Sequence, residues 1–172
     1  MSQLLDFYRG EGTDAEGRSL HELWSWSNDE LEQVHDFIQW MFPLREPSRF
    51  NPDAPLLTAA DVAAFRGDAF LRSRLTKSFQ RILVFLGFSL AENGTVVEGP
   101  NFAERVPEIW ASPNHNWLRI TRILKSLTVL GLESEAQALF DRLDALYTER
   151  RYPITADTYR YWKEAIGGSR PK

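Results

Sequence analysis

The chain has 172 residues, 43% of them hydrophobic and 26% charged, which suits one globular domain with its own core. It has no cysteine, so disulfides, thiolate metal sites and cysteine nucleophiles are excluded. The net charge of −4 disfavours strong nucleic-acid binding. Because the sequence has neither a signal-peptide pattern nor about 18 consecutive apolar residues, we expect a soluble, cytoplasmic protein.

The first helices are marked by their start signals. Residues 4–9 form a short helix or an extended lead-in, and residues 10–18 form a glycine-containing loop. Ser27 and Glu30 have the spacing of a capping box, which predicts a helix from there to about Met41. Its apolar face consists of Leu31, Val34, Phe37, Ile38 and Met41.

A proline-rich segment follows this helix. Residues 43–57 contain four prolines, so the segment cannot be a helix or a central strand. A connection of this length and irregularity is either a binding loop or a rigid crossover between helices. The sequence leaves both readings open.

Two further helices are predicted over residues 58–66 and 70–86. The first begins at Thr58, and the second is ended by Gly87, which is a C-terminal helix signal. The basic residues predicted on the outer side of the longer helix are Arg72, Arg74, Lys77 and Arg81.

The next segment is irregular. Residues 91–100 are rich in turn formers and hold at most one short strand, at residues 95–97. A shorter helix over residues 101–110 is expected to be interrupted or ended near Pro107.

The fold is predicted to be organised around a central helix over Asn114 to Gly131. Leu118 and Val129 lie opposite its main apolar face, so neighbours on both sides are expected. Gly131 ends the helix. The main apolar face consists of Trp117, Ile120, Ile123, Leu124, Leu127 and Leu130.

The last third of the chain carries the clearest amphipathic stripe, over residues 136–147, and a final helix that begins at Thr155. We predict an all-α protein with a single domain. It is an irregular bundle of about seven helices around residues 114–131, with a folded core over 3–166 and a frayed tail over 167–172.

Two segments resemble a known family. Residues 38–47, IQWMFPLREP, resemble IQWLFPLREP of the opioid growth factor receptor domain. Residues 115–127, HNWLRITRILKSL, resemble HNNLRITRILKSL of the same domain. The opening at residues 5–8 and the pair at 57–58 also fit, and the resemblance covers roughly residues 4–150.

The resemblance implies a binding function. Animal members of the family are receptors for an opioid pentapeptide of enkephalin type, and they are intracellular and associated with the nucleus. They carry long extensions and repeats after this domain. The present chain is therefore expected to be a compact, stand-alone form of microbial type. The family supplies no catalytic residues that can be transferred to this sequence.

No motif in the sequence indicates a particular enzymatic reaction. The three histidines, His21, His35 and His115, lack a second metal ligand at helical spacing. A nucleophile elbow and a glycine-rich phosphate loop are absent, and no carboxylate pair is singled out among residues such as Glu46 and Glu104. We predict no catalytic residue, no metal and no cofactor.

Polar residues of the two motifs form the candidate ligand-binding site. The proline-rich segment holds its charged side chains at little entropic cost, and the start of the central helix offers backbone N–H donors. The alternative is an internal network that pins the segment to the helix, with both tryptophans in the core. The candidate residues are Trp40, Arg45, Glu46, His115, Asn116, Trp117, Arg119 and Arg122.

The functional hypothesis is a non-catalytic module that binds an unidentified peptide or protein. One alternative is an enzyme with an unrecognised polar cleft. The other is a nucleic-acid-associated protein that uses the basic rows of residues 70–86 and 114–131. Oligomeric state is not determined by the sequence.

Overall fold

The computed structural model describes residues 2–167, which contain ten α-helices and one two-stranded antiparallel ribbon. Of the described residues, 60% are helical, which confirms the all-α class. Its contacts group into two compact units, Met1–Arg81 and Ile82–Lys172. The assignment of one domain to the whole chain stays a prediction. Of the predicted tail, Gly167 ends the last helix and residues 168–172 lie outside the described residues.

The first unit contains five complete helices and most of a sixth. They are α1 (Gln3–Arg9), α2 (Leu20–Ser25), α3 (Asn28–Gln33), α4 (Ile38–Met41), α5 (Ala59–Gly67) and α6 (Ala69–Leu86).

The second unit begins within the last turns of α6. It then contains β1 (Phe88–Leu90), β2 (Val96–Glu98), α7 (Phe102–Ile109), α8 (Asn116–Val129), α9 (Glu133–Thr148) and α10 (Ala156–Gly167).

Local signals set several helix ends as predicted. The Ser27 hydroxyl accepts the Glu30 N–H at 3.1 Å, and the Glu30 carboxylate accepts the Ser27 N–H at 3.1 Å, which is the predicted capping box. Thr58 caps α5 in the same way with Asp61 as its partner. Gly131, with a φ of 97°, takes the left-handed conformation after α8.

The predicted helix over residues 27–41 is wrong in its middle. It is divided into α3 and α4, because Val34 adopts extended backbone with a ψ of 131°. Two tertiary contacts lie in the interruption: Asp36 pairs with Arg18 at 2.8 Å, and the Phe37 ring lies 5.6 Å from that of Trp26. These contacts outweigh helix periodicity, and the division helps to raise the helix number from about seven to ten.

The irregular middle segment is more regular than predicted. The expectation of at most one short strand within residues 91–100 is confirmed by Val96–Glu98, but its antiparallel partner, Phe88–Leu90, was not predicted as a strand. Of the two outcomes expected near Pro107, the interruption does not occur, and α7 ends two residues after the proline, at Ile109. A proline removes one hydrogen bond from a helix, and here the rest of the helix is anchored by tertiary contacts.

Those anchors hold α7 to the C-terminal end of α6. Three carbonyl groups in the last turn of α6, which have no partner within the helix, accept side-chain hydrogen bonds. The pairs are Asn101 Nδ2 with the Val84 carbonyl (2.9 Å), Arg105 Nε with the Phe85 carbonyl (2.7 Å) and Trp110 Nε1 with the Leu86 carbonyl (2.9 Å).

Within the second unit, the α8 helix packs against both α9 and α10. Trp162 of α10 donates its indole N–H to the Trp117 carbonyl at 3.0 Å, and the two rings meet edge to face. The main apolar face is buried, as predicted. The second apolar face is not covered as expected, because Leu118 is 54% exposed.

A buried hydrogen-bond network fixes the residues that precede the proline-rich segment. The Tyr8 hydroxyl is hydrogen bonded to the Met41 carbonyl and, at 2.9 Å, to the Ser78 hydroxyl. Trp24 donates its indole N–H to the same hydroxyl at 2.9 Å. Burial raises the pKa of Tyr8 well above its ordinary value, so the phenol stays neutral. The end of α4 is therefore held rigidly.

Candidate functional site

The proline-rich segment, residues 43–57, forms a closed loop that we call the proline loop. The Leu57 N–H donates to the Leu44 carbonyl at 2.9 Å, and both of these leucines are buried. The two ends of the loop therefore lie side by side, as in compact surface loops.

Hydrogen bonds within the proline loop order its outer part. The Ser48 hydroxyl accepts the N–H groups of Phe50 and Asn51, each at 3.2 Å. The Asn51 amide also donates to the side chain of buried Gln39 at 3.4 Å. Together with its prolines, these contacts give the loop a defined conformation before any ligand binds.

The exposed side chains of the proline loop combine an aromatic ring with positive charge. Phe50 is 77% exposed. Arg45 and Arg49 are also exposed, and neither forms an ion pair within residues 2–167. Sequence reasoning selected Arg45 and Glu46 but missed Phe50. The sequence signal that could have identified Phe50 is its place directly after an arginine in a proline-rich segment. Such a segment has no helical apolar face that would place the ring in the core.

Trp40, which precedes the loop, belongs to the core. It is 4% exposed, and its ring lies edge to face with that of Phe7 at 5.4 Å. It does not present an open apolar wall to solvent.

The start of α8 holds the other half of the predicted site. Its expected free N–H donors are in use: Asn116 N–H donates to the Asn114 side chain at 2.9 Å, and Trp117 N–H to the Asn114 carbonyl at 3.2 Å. The N–H groups of Leu118 and Arg119 both donate to the His115 carbonyl. An anion at this helix end would therefore find these backbone N–H groups already hydrogen bonded.

The side chains at the start of α8 differ in exposure. Asn116 is fully buried, and its oxygen accepts a hydrogen bond from Arg119, itself largely buried, at 3.3 Å. Trp117 is buried and donates its indole N–H to the Ile109 carbonyl at 2.8 Å. His115 is exposed and Arg122 is half-buried. Most of this group is therefore structural.

The predicted cluster draws residues from both units. Trp40, Arg45 and Glu46 lie in Met1–Arg81, whereas the residues of α8 lie in Ile82–Lys172. Within the first unit the exposed candidates are Arg45 and Glu46, and within the second unit His115. The proximity of these two groups stays a prediction.

An open groove of about 540 Å³ lies in the second unit, between the turn that joins β1 to β2 and the first half of α9. Its charged groups are engaged locally, since Arg142 donates to the Val96 carbonyl at 3.0 Å and Gln137 donates to Asp141 at 2.8 Å. The lining residues are Asn93, Gly94, Thr95, Val96, Glu133, Ser134, Gln137, Ala138, Asp141 and Arg142.

Within residues 2–167, no three His, Cys, Asp or Glu side chains are grouped as ligands of a metal ion would be. None of the helices in that range has the length and apolar character needed to cross a bilayer.

Comparisons with known proteins agree on one family. Residues 3–170 match the family described as "Opioid growth factor receptor (OGFr) conserved region". The opioid growth factor receptor of Rattus norvegicus is 44% identical over 135 residues, covering 75% of this chain and 23% of the relative. The Homo sapiens receptor is 41% identical, with 75% and 20% covered.

A second group of relatives is more distant. The opioid growth factor receptor-like protein 1 of Xenopus tropicalis is 38% identical, covering 69% of this chain and 24% of the relative. The chain thus spans about a fifth to a quarter of the length of these curated relatives. No solved structure matches the chain. The family match and the two shared motifs establish that this chain belongs to the opioid growth factor receptor conserved-region family.

Proposed function

We propose that this chain is a non-catalytic module that binds a peptide or protein, and that the proline loop is its docking surface. The observation that carries the proposal is the Phe50 side chain, 77% exposed in a loop closed by a backbone hydrogen bond. The names of the relatives support a binding role, since they are called receptors.

An exposed phenylalanine on an ordered loop is suited to act as an anchor. Burying such a ring in a partner gains roughly 1.5–3 kcal/mol. The loop is ordered by its prolines and by the Ser48 hydrogen bonds, so little conformational entropy is lost on binding. Arg45 and Arg49 carry unpaired positive charge within the described residues. The matching ligand offers an apolar side chain close to a carboxylate, as a short peptide with a free C-terminus does.

The ionisable groups with shifted pKa values support a non-catalytic role, because structural contacts account for them. A hydrogen bond to Asp144 at 2.6 Å raises the pKa of Tyr159 to about 12. Burial raises that of Tyr8, and a backbone hydrogen bond from Phe70 lowers that of Asp68. None of these residues lines the groove between the ribbon turn and α9.

The proposal is tested by titrating the isotope-labelled full chain with a tyrosine-led pentapeptide of enkephalin type and following amide chemical shifts. We expect saturable shifts concentrated in residues 43–57. Phe50→Ala should weaken binding at least about tenfold while leaving the melting temperature unchanged, because an exposed side chain contributes little to stability. Tyr161→Ala, at another exposed aromatic ring, is the matched control.

Two further variants separate binding from structure. Arg45→Ala and His115→Ala should both melt like the parent chain, because both side chains are exposed. A large loss of stability in either variant would assign that residue to an internal network. Unchanged peptide affinity in Phe50→Ala, or shifts confined to other segments, would contradict the proline loop as the docking surface.

A further inference from the structure

A second surface of the first unit combines aromatic rings with uncompensated positive charge. It consists of Trp24, Phe70, Arg74 and Lys77, and we call it the Trp24 surface. Positions 70, 74 and 77 follow helical spacing, so they share one face of α6. The Trp24 side chain, from α2, lies against that face.

Cations lie over the rings of the Trp24 surface. The Arg74 guanidinium carbon is 4.9 Å from the Trp24 ring centroid and 5.4 Å from that of Phe70. The Lys77 ammonium is 5.4 Å from the Trp24 ring. Both cations are thus drawn to the negative face of the same indole.

Hydrogen bonds hold two members of the surface in place. Trp24 donates its indole N–H to the fully buried Ser78 at 2.9 Å. Arg74 donates its Nε–H to the Tyr8 carbonyl. The guanidinium is therefore oriented before a ligand arrives, which lowers the entropic cost of binding an anion.

The cations of this surface differ from two other arginines of the first unit, which are paired with carboxylates. Arg9 pairs with Asp68 at 3.4 Å, and Arg18 pairs with Asp14 at 2.7 Å. Neither Arg74 nor Lys77 forms an ion pair within residues 2–167. An oriented guanidinium beside an unpaired ammonium is a good binding site for a carboxylate.

We propose that the Trp24 surface binds an acidic peptide segment. One carboxylate is held by Arg74 and Lys77, and an apolar side chain next to it packs on Phe70, which is 52% exposed. Charge complementarity selects this partner. Nucleic acid fits less well, since the cations already occupy the Trp24 ring and two charges make few phosphate contacts. The site is independent of the proline loop.

The experiment is a fluorescence-polarisation titration of the full chain at low salt. The probe is a fluorescein-labelled Glu-Glu-Phe-Glu-Glu peptide, and its Gln-Gln-Phe-Gln-Gln analogue removes the charge. We expect the analogue to bind at least about tenfold more weakly, because its amides cannot pair with the cations. Lys77→Glu should weaken the acidic peptide about as much, since it replaces attraction by repulsion.

Lys163→Glu is the matched control, because Lys163 is an exposed lysine on α10 and forms no ion pair in the described part of the chain. It should change affinity less than about twofold. Arg74 also bonds to the Tyr8 carbonyl, so Lys77→Glu is the deciding variant and a thermal melt checks its folding.

Equal binding of the two peptides would overturn the proposal, as would an equal effect of the two lysine variants. Tighter binding of a ten-nucleotide oligothymidine, lost in Lys77→Glu, would also overturn it and assign the surface to nucleic acid. Selective loss of the acidic peptide in Lys77→Glu, with peptide binding to the proline loop intact, would support it.

Discussion

At the scale of single residues, aromatic side chains differ in how far they are buried. Trp40 and Trp117 are buried in their own units, whereas Phe50 is 77% exposed. Each of the three directly follows a polar or charged residue in the sequence. A buried aromatic ring stabilises the fold, whereas an exposed aromatic ring is available for binding to a partner.

Two leucines of α8 that differ in burial provide a test at this scale. Leu124 is fully buried and Leu118 is 54% exposed. Leu124→Ala should lower the free energy of unfolding by about 2–5 kcal/mol, because it leaves a cavity. Leu118→Ala should change it by less than about 0.5 kcal/mol.

Urea denaturation of both variants measures the difference. Equal denaturation midpoints for the two variants would contradict the assignment of the α8 faces.

At the scale of secondary-structure elements, the end of α6 requires glycine at position 87 for two reasons, its backbone conformation and the close approach of α7. Gly87 has a φ of 91°, in the left-handed region that favours glycine. A Cβ at this position would lie 3.1 Å from the Phe102 Cα and 3.2 Å from the Arg105 Cβ. Close approach of α7 is what allows Arg105 and Trp110 to reach the last carbonyl groups of α6.

Gly87→Ala should therefore lower the free energy of unfolding by about 2–4 kcal/mol, from backbone strain and crowding together. Gly67→Ala is the control within a helix, since a Cβ there meets nothing within 4 Å. It should be neutral or stabilise by up to about 1 kcal/mol. Chemical denaturation measures whether each substitution lowers or raises the free energy of unfolding. An unchanged free energy of unfolding in Gly87→Ala would contradict the close packing of α7 against Gly87.

At the scale of the whole molecule, charge limits the partners. The net charge is −4, and the cations without ion pairs in the described part of the first unit include Arg74 with Lys77 and Arg45 with Arg49. Groups of this size can orient one carboxylate but cannot follow a nucleic-acid backbone.

We expect the chain to bind single-stranded or duplex DNA and RNA no more tightly than roughly 1 μM at physiological salt. Fluorescence polarisation with a labelled 20-nucleotide probe over a range of salt concentrations measures this. This expectation would be contradicted by sub-micromolar binding that weakens steeply as the salt concentration rises. Such binding should then be abolished when Arg72, Arg74 and Arg81 are changed to Ala.

Local chemistry made much of the fold predictable. The Ser27 capping box, the glycines after α6 and α8, and the apolar face around Leu124 depend on residues within a few positions of one another. The family could be identified for the same reason, because its two motifs are continuous segments. Arg45 and Glu46 were placed in an irregular loop by the prolines alone.

Other features depend on residues far apart in the chain, and only the tertiary structure decided them. The helix that seemed continuous to Met41 is broken where Asp36 meets Arg18. Residues 95–97 required Phe88–Leu90 as a pairing partner, and no local pattern specified that pairing. Exposure of Phe50 and burial of Trp40 follow from which neighbours cover each ring. The sequence alone therefore determined the helical class and the family, whereas long-range packing decided which charged and aromatic groups remain available to a partner.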